Sequence, residues 1–88
     1  MSTSIRIDKN AIETAYSFFH QKERVYAHST MEWQKDDIEY AISSYVQDMD
    51  KTLYGLLSDG HDDFLVNHRR FHDDILSAIE VMENLLNQ

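Results

Sequence analysis

His61 to Asp74, HDDFLVNHRRFHDD, packs three histidines, two arginines and four aspartates into fourteen residues, and how it is read decides the fold. Phe64, Leu65, Phe71 and Ile75 keep a helical rhythm through the charged residues. Read as one helix starting near Asp62, the segment places residues 61, 68 and 72 within an arc of roughly 40°, at about 100° per residue. That arc is the apolar one. The same reading pairs Arg69 with Asp73 and Arg70 with Asp74 as solvent-facing i,i+4 ion pairs, worth ~0.2–0.5 kcal/mol each. Asp62 and Asp63 then sit where a helix N-terminus favours negative charge.

Downstream, Ile75, Leu76, Ile79, Met82, Leu85 and Leu86 continue the apolar face, so this helix is expected to run from Asp62 to Leu86. Upstream, "SDG" (Ser58 to Gly60) ends a preceding helix, with Gly60 suited to the left-handed C′ position. That second helix carries Trp33, Ile38, Ala41, Ile42, Tyr45, Val46, Met49, Leu53 and Leu56 in one phase to about Ser58. The alternative is that Asp50 caps a short separate helix. Ser29 and Glu32 in "STME" form a capping-box pattern that restarts the chain after a break at His28-Ser29. The first helix starts at Asp8, an N-cap residue, and its stripe comprises Ile12, Ala15, Tyr16, Phe19 and Tyr26.

The chain has no proline and two glycines in 88 residues, so breakers are scarce. The expectation is an all-α single domain over residues 1–88, with residues 1–7 a loosely attached arm. Its architecture is an antiparallel three-helix up-down-up bundle, gaining a fourth short helix if Asp50 is a cap. Wide apolar stripes on the second and third helices point to burial against a second copy, hence a homodimer.

Charge excludes one class of function. The net charge is −8, with residues 1–29 slightly positive and both later thirds acidic, so phosphate backbones are repelled and direct nucleic-acid binding is not expected. Without cysteine there is no disulfide, thiolate site or Cys nucleophile. No run resembles a signal peptide or approaches the ~18 apolar residues of a membrane span, which leads to the expectation of a cytoplasmic protein.

His68 and His72 lie one turn apart and can share a metal, with His61 on the same arc. His20 and His28, with Glu23, can face them across a bundle. His68-Arg-Arg-Phe-His72 resembles the His-x-x-x-His helix of hemerythrin-like proteins over five residues, without the other ligand-bearing helices. No Glu-x-x-His pair of the di-iron bundles occurs. The plainer reading packs both imidazoles at the core edge and turns the surrounding aspartates to water; no metal or cofactor is then expected.

Ile12, Phe19, Tyr26, Trp33 and Tyr40 recur every seven residues, which suits a bundle seam. Where that stripe is exposed, its aromatics are anchors for a partner. Neither a Gly-x-Ser-x-Gly elbow nor a Gly-rich phosphate loop is present, and no enzyme activity is expected. The leading expectation is a small acidic protein-protein interaction module: a regulator, chaperone or neutralising partner. It presents Trp33, Asp36, Asp37 and Tyr40 to a protein partner, a basic one by charge. The alternatives are a bundle holding a metal or cofactor through His68 and His72, or a structural subunit of a helical assembly.

Overall fold

The computed structural model describes residues 7–87, which are helical without a strand. The helices are α1 (Lys9–Ala27), α2 (Glu32–Asp48), α3 (Lys51–Ser58) and α4 (Phe71–Leu86), with a 3-10 turn, His68–Arg70, running into α4. Of the arm expected over residues 1–7, residues 1–6 lie outside the described part, and Ile7 packs half-buried against the core.

The first boundaries fall where the capping chemistry puts them. Asp8 caps α1 by accepting the Asn10 amide at 3.0 Å. The break at His28-Ser29 is present, but its capping differs from the expected Ser29/Glu32 box. The Ser29 hydroxyl donates back to the Val25 carbonyl at 2.7 Å, closing α1. Gln34 Oε1 accepts the amides of Thr30 and Met31 at 3.1 Å each, opening α2.

The long second helix to Ser58 is replaced by two. Asp50 accepts the Thr52 and Leu53 amides at 2.8 and 3.0 Å, so its side chain starts α3 in place of a continued helical ladder. Both Asp59 (φ 50°) and Gly60 (φ 81°) then adopt the left-handed conformation that ends α3.

The helix expected from Asp62 starts nine residues later. Residues 61–67 form successive turns, with Leu65 at φ 59°, a conformation that β-carbon sterics disfavour. Two interactions hold it there. Phe64 and Leu65 are both buried, and the Leu65 amide donates to Asp74 Oδ2 at 2.9 Å. Asp74 is therefore 7% exposed and turned inward, not paired to Arg70 at the surface as expected. Arg70 instead reaches Asp63 at 3.6 Å. The start signal is Asn67, whose side chain accepts the Arg69 amide at 3.0 Å.

These changes alter the topology. Tyr16 bonds Glu83 and Glu23 bonds His72, so α4 runs antiparallel to α1. Tyr26 bonds Glu39 and Phe18 stacks on Tyr45, so α2 does too. Helices α2 and α4 thus run in the same sense on α1, and α3 with residues 59–67 carries the chain back between them. That differs from an up-down-up order. The core joins Ile12, Ala15, Phe19 and Tyr26 of α1 to Phe71, Ile75, Ala78 and Met82 of α4. Ile38 and Ile42 of α2, Leu53 and Leu57 of α3, and Phe64 and Leu65 complete it. No helix among the described residues is long and apolar enough to cross a membrane.

Candidate functional site

The seven-residue aromatic series divides at the α1–α2 turn. Ile12, Phe19 and Tyr26 are buried as a seam requires, whereas Trp33 is 61% and Tyr40 75% exposed, contrary to a core role. The reason is phase. Restarting at Glu32 rotates α2 so that Ile38 and Ile42 face inward, and the seven-residue period leads Trp33 and Tyr40 along the outer face. Asp36 and Asp37, both exposed, lie between them on the same helix. All four residues expected to meet a partner are therefore accessible.

The histidines separate. His61 is exposed in the turn after α3, away from any shared helical arc with residues 68 and 72. His72 is half-buried: its ring lies 5.7 Å from that of Tyr26, and Nε2 lies 2.9 Å from Glu23 Oε2. His68, on the 3-10 turn, places Nδ1 2.5 Å from Glu39 Oε2 and Nε2 3.9 Å from Glu32 Oε2. Each imidazole thus has its own carboxylate, and the two are not drawn together around one point. Of the α1 residues that can face them, Glu23 does so, while His20 and His28 line an open groove along the outer side of α1.

Tyr26 joins the two pairs. Its hydroxyl donates to Glu39 Oε2 at 2.9 Å, its ring contacts Phe71 and His72, and the Lys35 ammonium lies 5.8 Å from its centroid. Burial pushes its phenol well above the ordinary tyrosine range, helped by the Glu39 hydrogen bond and the charges of Glu39, Glu32 and Asp36. The neutral phenol is therefore a fixed donor that orients Glu39.

The α2 carboxylates around His68 are what sequence reasoning missed. Glu32, Asp36 and Glu39 are spaced i, i+4, i+7, a stripe visible in the sequence. Nothing local says that His68, 29 residues beyond Glu39, would come to lie against it. The return path through residues 59–67 brings it there. No family model, curated protein or solved structure matches this chain.

Proposed function

We propose that the protein is an acidic interaction module whose α2 binds a basic segment of a protein partner. The observation that carries this is the exposure of Trp33 and Tyr40 on one helical face with Asp36 and Asp37 between them. Exposed aromatics are the residue types that anchor interfaces. Aromatic faces also attract guanidinium and ammonium groups within ~6 Å, and adjacent carboxylates add charge-assisted hydrogen bonds. An arginine- or lysine-rich segment satisfies both, and the net charge of −8 steers it inward.

A second copy is a poor occupant of this face. A two-fold contact centred on this face would bring the Asp36 and Asp37 carboxylates of both copies together, unfavourable without intervening cations. The homodimer suggested by the wide apolar stripes would instead use exposed Val66 and Leu76, and sedimentation of a Val66→Ser/Leu76→Ser variant tests it.

Trp33 is the sole tryptophan and reports directly on the face. Titration with an arginine-rich helical peptide should change its emission, with affinity falling as salt rises. Trp33→Phe/Tyr40→Ala, followed by calorimetry, and Asp36→Asn/Asp37→Asn should each weaken binding at least about tenfold, given hot-spot losses of ~2 kcal/mol. Asp62→Asn removes charge elsewhere and should change little. Equal losses at both places would reduce the effect to net charge and overturn the assigned face.

A further inference from the structure

Three carboxylates converge on one imidazole where the α2 stripe meets the 3-10 turn. Donor atoms of Asp36, Glu39 and His68 all lie within 4.8 Å of one another. Glu32 approaches the same ring, its Oε2 3.9 Å from Nε2. Among the described residues, no lysine or arginine pairs with Glu32, Asp36 or Glu39. The Lys35 ammonium lies by the Tyr26 ring, and Arg70 is held by Asp63. Concentrated negative charge beside a nitrogen donor, with no lysine or arginine paired to it among the described residues, is what a bound cation would relieve.

We propose that Asp36, Glu39 and His68 form a divalent-metal site suited to zinc, three protein ligands that leave the fourth tetrahedral position to water. Tetrahedral zinc, with donors at about 2.0–2.2 Å, needs them roughly 3.4 Å apart. Reaching that spacing draws the donors in from a spread of up to 4.8 Å and opens His68 Nδ1 from its 2.5 Å contact with Glu39. Asp36 and His68 are exposed side chains with room to turn. Glu39 supplies the fixed point. Its side chain is 19% exposed, and the Tyr26 hydroxyl orients its carboxylate as an outer-shell partner does in metal sites. One imidazole among carboxylates favours zinc over magnesium or calcium, which take oxygen donors alone.

The spacing explains why the ligands come from two elements. Asp36 and Glu39 are i,i+3 neighbours on one face of α2, and His68 arrives from the turn that opens α4. A bound ion would therefore tie α2 to the start of α4. The site is separate from the two-imidazole arrangement of His68 and His72, because His72 is engaged with Glu23. It touches the proposed partner face at Asp36 alone, so Asp37→Asn weakens peptide binding and leaves metal binding intact.

The test is calorimetric titration of the full, chelator-treated chain with zinc chloride, alongside thermal melts with and without zinc. One ion per chain and a raised melting temperature are expected. His68→Ala and Glu39→Gln should each weaken binding at least about tenfold, and Tyr26→Phe, acting on orientation, by about tenfold. His72→Ala should bind as the parent does. The His68 side chain is 54% exposed and Tyr26 still holds Glu39, so its removal should leave the helix content of the metal-free chain unchanged by circular dichroism. In the parent protein itself, zinc should shift the ring resonances of His68 and spare those of His72. Absence of one-to-one binding at micromolar zinc overturns the site. So do equal losses from His72→Ala and His68→Ala, or calcium binding as tightly as zinc.

Discussion

Helices α4 and α2 are nearly equal in length but are held very differently. Phe71, Asp74, Ile75, Ala78 and Met82 of α4 are buried, a continuous face laid along α1. The buried residues of α2 are Ile38 and Ile42, supplemented by Tyr45 stacked on Phe18 with centroids 4.1 Å apart. What fastens the N-terminal half of α2 is polar: Glu39 to Tyr26 and His68. One helix is therefore committed to the core. The other is held by a narrow apolar edge and keeps its opposite face, with Trp33 and Tyr40, available. The face left open is on the helix that contributes least to the core.

The largest test of that contrast lies in α4. Phe71→Ala should cost about 3–5 kcal/mol in urea unfolding, the usual loss for a fully buried phenylalanine. A loss below ~1 kcal/mol would show that α4 is not the anchor. Next comes the buried link between α4 and the returning chain. Asp74→Ala strands the Leu65 amide and should cost about 1–3 kcal/mol, whereas Asp74→Asn, which keeps an acceptor oxygen, should cost less. Equal costs would mean that charge, not hydrogen bonding, matters there.

Alkaline titration probes the α1–α2 contact. Burial raises the phenols of Tyr45 and, with Glu39, Tyr26 above the ordinary value of about 10. The folded state then holds these protons more tightly than the unfolded chain does. Their contribution is complete below pH ~10 and is lost as pH climbs above it. Melts across pH 8 to 12 (about two units either side of the ordinary value) should show that decline, and Tyr45→Phe should reduce it. A decline unchanged by Tyr45→Phe would remove that residue from the account. The smallest effect belongs to the open face: Trp33→Ala and Tyr40→Ala should change stability by no more than ~0.5 kcal/mol each. A larger loss would place them in the packing and weaken their assignment to a partner.

Local chemistry was legible where one side chain decides it. Asp8 is a cap because an aspartate oxygen reaches amides two or three residues ahead; Asp50, expected only as the alternative to a continuous second helix, is one for the same reason. Gly60 takes the left-handed turn that a residue without a β-carbon adopts freely. The stretch from His61 to Asn67 was misread because its apolar residues match a helical period by accident. Phe64 and Leu65 are buried from a turn, not from a helix face. Asn67, the true starting signal, was present but competed with Asp62 and Asp63, which have the same propensity. Trp33 and Tyr40 are expected as partner anchors only on the condition of exposure, and the turn at Ser29 to Met31 decides that condition.

The amino-acid sequence alone determined that this chain is helical, acidic and able to bury a core, because periodicity, breaker scarcity and net charge are properties of neighbours along the chain. The direction of α4, the inward turn of Asp74 and the meeting of His68 with the α2 carboxylates belong to the tertiary structure. Each depends on how residues 59–67 return the chain, and on the burial of Phe64 and Leu65 that makes a strained turn favourable. Contacts between residues far apart in sequence leave no periodic trace, so only the folded chain could choose them.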